Sequence, residues 1–261
     1  MTDEHIRLQL VDIGRRLYDK AMVAANDGNL SYRLADDCII TTPSGVCKGF
    51  LLPEQMVVVD IDGAIRSNGK PSTELPMHLF LYRHRPDVRA VVHAHPLYST
   101  GFATAGLSLE KCVSAEIITT LGSIPLARYG TPSTPELAES LRPHVHTCDA
   151  FLLANHGVVT VGKDLDDAYF KLERVEHYAH IIFVARQLGG EKSLARSAVA
   201  KLLDLRGAYG QTGLNPGCAS CEEDCIGASC LNYDSKYDPA SEDRLRPLVQ
   251  RIAARVRDAA T

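Results

Sequence analysis

The sequence has no surplus of basic residues: 28 Lys and Arg stand against 32 Asp and Glu, a formal net charge of -4. A chain of that balance offers no positive field for gathering phosphate backbones, which argues against nucleic acid as a partner. It has no apolar run of about 18 residues, so no segment is suited to spanning a bilayer as a helix. The opening MTDEHIRLQL carries acids and lacks a basic segment followed by an apolar core. No secretory leader is therefore expected, and a cytoplasmic location follows as an expectation. No Walker or GxGxxG pattern is present, so a nucleotide is not implied. No internal repeat, low-complexity tract or linker precedes residue 210 or so.

What is there is an ordinary globular composition, 261 residues with 45% hydrophobic and 23% charged side chains, enough for one sizeable core. Eight cysteines would suit a secreted disulfide scaffold, but Cys38, Cys47, Cys112 and Cys148 are scattered through apolar stretches and read as buried thiols. Ile6, Leu10, Ile13 and Leu17 recur at helical spacing, which predicts an amphipathic helix over the first 25 residues, stopped by Asn26-Asp27-Gly28. Asn29–Leu34 and Cys38–Thr41 read as a hairpin, and Met56–Ile61 as a buried strand. A helix is expected over 74–85, a strand ending in His93-Ala94-His95, helices over 97–105 and 134–143, and a strand over Ile117–Ala127. An apolar run from Leu152 leads up to His156-Gly157 as at a strand end, and Val158–Val161 reads as the next strand. Asp164 then caps a long helix with a buried stripe of Ala168, Leu172, Val175, Ala179 and Ile182, ending at Gly189-Gly190. The pattern predicts one α/β domain with helices packed on a mostly antiparallel sheet.

Residues 71–95, PSTELPMHLFLYRHRPDVRAVVHAH, organise the chemistry. Alternation on a strand puts Val91, His93 and His95 on one face, so two imidazoles converge. His156 follows another apolar run, which is how a third ligand would be presented at a strand end. Three histidines with an open fourth position suit a catalytic zinc-type ion, although a lone HxH is more often plain surface or core histidine. Three short stretches, Gly28-Asn29, Thr42-Pro43-Ser44-Gly45 and Pro71-Ser72-Thr73, set small polar side chains beside glycine or proline. They leave backbone N–H groups open to a phosphate, or else are simple turns. Glu74 follows the third. Beside a metal-polarised carbonyl it could take a proton from the adjacent carbon; otherwise it stabilises a helix start.

Together G28-N29-L-S, T42-P-S-G45, P71-S-T-E74, V91-V-H-A-H95, Y129-G-T-P-S-T134 and N155-H-G157 resemble the class II aldolase/adducin family over about residues 5–210, most closely its bacterial fuculose-phosphate type aldolases. The resemblance implies a three-layer α/β/α domain over 1–210, assembled as a homotetramer with active sites at subunit interfaces. It implies His93, His95 and His156 as ligands of Zn2+ or another divalent ion (Mn2+, Co2+ or Fe2+), and Glu74 as the catalytic acid/base. Gly28, Asn29, Ser44, Gly45, Ser72 and Thr73 would hold the phosphate of a small sugar substrate. The implied reaction is retro-aldol cleavage of a ketose 1-phosphate to dihydroxyacetone phosphate and an aldehyde through an enediolate. Sugar-phosphate 4-epimerases, thiomethylribulose-phosphate dehydratases and phosphotetronate decarboxylases share this logic, and a non-catalytic adducin-like scaffold is disfavoured by the complete histidine set.

The chain departs from that pattern in two places. The family's partner-subunit tyrosine is missing near Lys111–Ile118, where Ser114 is the nearest match; Tyr129 and Tyr209 are the remaining tyrosine candidates. Glu173 with His177 and Glu176 with His180, spaced i,i+4, could mimic a metal site but read as surface or intersubunit contacts. Beyond the resemblance, 211–261 carries Cys218, Cys221, Cys225 and Cys230, a candidate structural zinc or iron–sulfur site. After it comes an amphipathic helix marked by Leu245, Leu248, Val249, Ile252 and Val256.

Overall fold

The computed structural model describes residues 2–209. The cysteine-rich segment and terminal helix expected over 211–261 lie outside them. Helix α1 (Asp3–Asp19) is capped by Thr2 and buries Ile6, Leu10, Ile13 and Leu17. It stops short of the expected residue 25, because the apolar period ends at Leu17. Ala21 turns left-handed at φ 53°, and the Met22 N–H closes onto the Leu17 carbonyl at 2.8 Å. Met22 and Val23 are then buried in irregular chain rather than on a helix face.

The strands β1 (Asn29–Ala35), β2 (Cys38–Thr41), β3 (Val57–Asp60), β4 (Ala90–Ala94), β5 (Leu126–Ala127), β6 (Ala150–Leu153) and β7 (Gly157–Gly162) form one sheet in the order β3-β2-β1-β4-β7-β6-β5. Only the β5–β6 pair is parallel, so the sheet is mostly antiparallel, as expected. Side chains alternate between two cores. Leu30, Ile40, Val92 and Val158 face α1, α3 (Leu97–Thr104) and α6 (Leu165–Gln187). Ile39, Val57, Val91 and Val159 face α2 (Leu75–His84) and α5 (Pro135–Ser140). Helices on both faces make three layers, with β4 at the centre, buried at every residue.

Residues 117–127 are a correction. Ser114 caps α4 (Ala115–Thr120), its Oγ accepting from the Ile117 N–H at 3.4 Å. The Gly122 N–H ends the helix on the Ile117 carbonyl, and only Leu126–Ala127 is strand. Four β-branched residues in a row favour strand by local preference, but the cap and the burial of Ile117 and Ile118 override it. A helix the sequence pattern did not announce, α7 (Arg196–Leu205), packs on α4 through Val199. The cysteines also differ from expectation. Cys148 is a buried thiol, Cys38 and Cys47 are half-buried, and Cys112 is disulfide-bonded rather than free. Among the described residues no helix is long and apolar enough to cross a membrane.

Candidate active site

Because β4 lies between β1 and β7, its last residues are held from both sides, with His93 opposite Asn29 on one and Val159 on the other. His95 lies one residue beyond the strand, its N–H fixed on the Met22 carbonyl at 3.0 Å. His156 comes from the tight β6–β7 turn, where Asn155 takes φ 56°. Gly157 lets that turn close: a Cβ there would lie 2.6 Å from both the Ala94 carbonyl oxygen and the His95 ring. The three imidazoles thus meet, with ligand nitrogens all within 4.8 Å of one another.

Their protonation pattern follows from their partners. His93 Nδ1 donates to the Val158 carbonyl at 2.8 Å, which turns Nε2 toward the other two rings; burial opposes the charged form of the ring, but the adjoining Glu74 carboxylate raises its pKa overall. That Nε2 lies 3.1 Å from His95 Nε2. Burial, then the neighbouring His93 and His156, push His95 down to about 4. His156 Nδ1 is buried with no hydrogen-bond partner among the described residues. Three converging imidazole nitrogens, once a cation replaces any proton between them, are the donor set of a zinc-type ion. The residues present fit such an ion.

Glu74 is the N-cap residue of α2, yet its side chain makes no cap hydrogen bond. Its carboxylate turns to the histidines instead, with Oε2 3.2 Å from His93 Nε2 and Oε1 3.2 Å from His156 Nε2. Burial opposes its ionisation, but His93 and His156 outweigh burial and hold the carboxyl well below the usual range. Behind Glu74 runs a buried chain of hydrogen bonds that the sequence reading missed. Asn29 Nδ2 donates to Glu74 Oε2 at 2.8 Å, and its Oδ1 accepts from His78 Nε2 at 2.5 Å. His78 Nδ1 accepts from Ser31 Oγ at 2.7 Å, and Tyr82 donates to that Oγ at 2.8 Å. With Glu74 ionised, each donor direction is set in turn, so His78 is the neutral Nε2–H tautomer. Burial, with His93 adding to it, pushes His78 down to about 3. The one sequence signal for it is spacing, since His78 lies four residues after Glu74, one helical turn on; its partners on β1 carry none.

A cavity of about 240 Å³ opens in front of Glu74, His95 and His156. Gly28, Asn29, Ser44, Gly45, Ser72 and Thr73 all line it. The loops carrying them are tied together: the Ser44 N–H bonds the Lys70 carbonyl, and Ser72 N–H the Thr42 carbonyl. Gly28 is required where it stands, at φ 74° with the His93 carbonyl 2.8 Å from where a Cβ would sit. The lining also includes Asp27, Lys48 and Ser133, which the sequence reading did not single out. Ser133, left-handed at φ 63°, bonds Thr73 Oγ1 through its Oγ at 2.8 Å. Tyr129, four residues earlier, is 57% exposed and outside the lining. Tyr209 ends the 3-10 turn Arg206–Tyr209, and its side chain, like the four tail cysteines, is not among those described. Among the described residues the i,i+4 pairs on α6 hold no metal-like cluster: Glu173 pairs with Lys20, and Glu176 caps α3, accepting from the Tyr98 and Ser99 N–H groups at 2.8 Å. His180 stacks on Tyr98.

Known proteins resemble this arrangement at the level of the whole domain. The chain is 36% identical over 197 residues to 3-oxo-tetronate 4-phosphate decarboxylase of Haemophilus influenzae, covering 74% of this chain and 92% of that protein. It is 36% identical over 180 residues to L-fuculose phosphate aldolase of Methanococcus maripaludis, covering 69% and 97%. The solved L-fuculose-1-phosphate aldolase of Thermus thermophilus superposes with a TM-score of 0.64 at 29% identity, over 72% of this chain and 98% of the other. Residues 8–183 match the family described as the Class II Aldolase and Adducin N-terminal domain, and the chain belongs to that family.

Proposed function

We propose that the protein is a metal-dependent lyase acting on a small phosphorylated sugar, cleaving a fuculose- or ribulose-type ketose 1-phosphate to dihydroxyacetone phosphate and an aldehyde. The observation that carries this reading is Glu74: an ionised, buried carboxylate between two candidate metal ligands, at the floor of a cavity lined by hydroxyl-bearing loops. A divalent ion, zinc by its donor set, would serve as a Lewis acid for negative charge developing on a substrate oxygen. Ser44, Ser72, Thr73 and the backbone at Gly28 and Gly45 would hold the phosphate, and Asn29 fixes the carboxylate plane of Glu74. When the carbon–carbon bond breaks, the hydroxyl that becomes the aldehyde oxygen gives up its proton, the electron pair stays on the dihydroxyacetone carbon, and Glu74 would take up a proton and return it to that carbon. Tyr209 or Tyr129 is proposed to exchange the proton of the aldehyde oxygen. Active sites at the interfaces of a homotetramer belong to the same reading, supported by Phe170, Ile181, Phe183 and Val184 standing exposed on α6.

A second reading is favoured by the similarity to a tetronate-phosphate decarboxylase. The same carboxylate and phosphate loops would serve a 3-oxo acid phosphate, with carbon dioxide leaving and the pair again left on carbon. The deciding experiment incubates the metal-loaded protein with ketose 1-phosphates and with 3-oxo-tetronate 4-phosphate, and assays dihydroxyacetone phosphate and carbon dioxide. Dihydroxyacetone phosphate released from a ketose 1-phosphate, with no carbon dioxide, supports the first reading. Decarboxylation of 3-oxo-tetronate 4-phosphate yields carbon dioxide together with dihydroxyacetone phosphate, so both products from that substrate, with ketose 1-phosphates left intact, transfer the proposal to the second reading, and turnover of neither overturns both.

A further inference from the structure

Lys48 is the one lysine or arginine among the described residues lining the cavity. It opens the 3-10 turn Lys48–Phe50 behind the Ser44-Gly45 loop and is only 2% exposed. It forms no ion pair with a described carboxylate. Its Nζ donates to two backbone carbonyls, Asn26 at 2.8 Å and Val46 at 2.7 Å. One belongs to the loop leading into Gly28-Asn29 and the other to the loop just after Gly45. An ammonium has three N–H groups, so two hydrogen bonds leave one donor unspent. Buried lysines are rare without a counter-charge, because desolvation disfavours their charged form. Here burial lowers Lys48 to about 8, against the opposing pull of Cys47, Asp27 and Glu74. Tyr18 of α1 packs against Gly49, the next residue, and His95 and His156 line the same cavity. The cavity therefore holds a buried ammonium that no described carboxylate pairs with directly.

We propose that Lys48 is the cation of the phosphate subsite: two of its N–H groups clasp the loops that shape the subsite, and its charge and third N–H are committed to a phosphate dianion. This rests on the phosphate reading of the cavity, and it adds to that reading the group that makes the subsite select a dianion over a neutral polyol. A bound dianion favours the protonated lysine. As pH rises through about 8, the free site loses its proton and must regain it on binding, so affinity falls by up to about tenfold per pH unit.

The test uses inorganic phosphate, which is already a dianion throughout the range, with the metal-loaded full chain titrated calorimetrically from pH 8 to 10. Wild-type affinity is expected to fall across the range. Lys48→Arg, whose guanidinium does not titrate, should bind phosphate with little pH dependence. Lys48→Met should bind at least about tenfold more weakly at pH 8, a loss of about 1.4 kcal/mol or more. Thermal melts report whether each variant folds, and if Lys48→Met does not, the wild-type and Lys48→Arg profiles decide alone. Equal slopes in wild type and Lys48→Arg, or undiminished binding in folded Lys48→Met, would overturn the assignment while leaving the phosphate loops in place. Absence of phosphate binding in wild type would overturn the phosphate reading and this proposal together.

Discussion

Replacing His78 with leucine separates the parts of the buried chain behind Glu74. The side chain is 1% exposed and bonded at both ring nitrogens, to Asn29 Oδ1 and Ser31 Oγ. Leucine is of similar size but leaves Asn29 Oδ1 without a donor, an orphaned buried acceptor that costs about 1–3 kcal/mol. We expect a loss near 2 kcal/mol at pH 7, which for a domain of this size lowers Tm by about 4–8 °C. A second component depends on pH. His78 is pushed down to about 3 in the folded protein and titrates near 6.5 when unfolded. Below pH 6.5 the unfolded chain therefore binds a proton that the folded chain refuses. The stability of the wild type is present in full above about pH 6.5 and drains away as pH falls toward 3, at about 1.4 kcal/mol per unit. The leucine variant lacks this drain. Urea unfolding at pH 7 and pH 5 should show the gap between the two proteins closing by about 2 kcal/mol, since other histidines contribute equally to both. His78→Gln keeps a donor for Asn29 without titrating, and should recover stability at pH 7 but not the slope. A gap that stays constant between the two pH values, or a leucine variant as stable as wild type, would refute the assignment of a neutral, doubly bonded His78.

Further outcomes follow from other contacts. His95→Ala should abolish stoichiometric zinc or similar divalent ion, measured by elemental analysis, with the fold retained. Glu74→Gln should keep the metal and lose about 10²–10⁴-fold in turnover, as expected for removal of a general acid/base. Asp149 accepts from Lys171 and Arg85, each at 2.8 Å; Asp149→Ala should destabilise by about 1–3 kcal/mol in urea, because two part-buried cations each lose one carboxylate while keeping Asp167 and Asp87. Glu176→Gln should weaken the start of α3, lowering Tm by a few degrees, and loosen His95, two residues before α3 begins, seen as weaker metal retention against a chelator.

Strands β1 to β4, α2 and α6 were legible because their apolar periods agree with their burial and their ends carry recognisable caps. The three histidines and Glu74 were legible because alternation and motif order place them, and the structure brings all four together. Other features depend on contacts far apart in sequence. Residues 115–120 are helix because a serine cap and a docking surface outweigh four β-branched side chains. Lys48 reads as an ordinary surface lysine until two loops close over it. His78 looked like one more polar residue in α2, and only the pairing of β1 with β4 brings Asn29 and Ser31 against it.

The placement of the histidines ties metal affinity to strand alignment. His93 sits opposite Val159 and Ala94 opposite Val158, while His156 immediately precedes β7. Sliding β7 along β4 by one residue would break the Gly157 approach to His95 and turn side chains that belong in one core toward the other. The misaligned chain would present three imidazoles that no longer share a centre. A divalent ion held there would thus act as a proofreader of sheet alignment, stabilising the correct pairing by an amount that grows with its free concentration. Refolding with the ion present should give a larger share of native molecules, and passage over an immobilised chelate that holds the ion should separate aligned chains from misaligned ones.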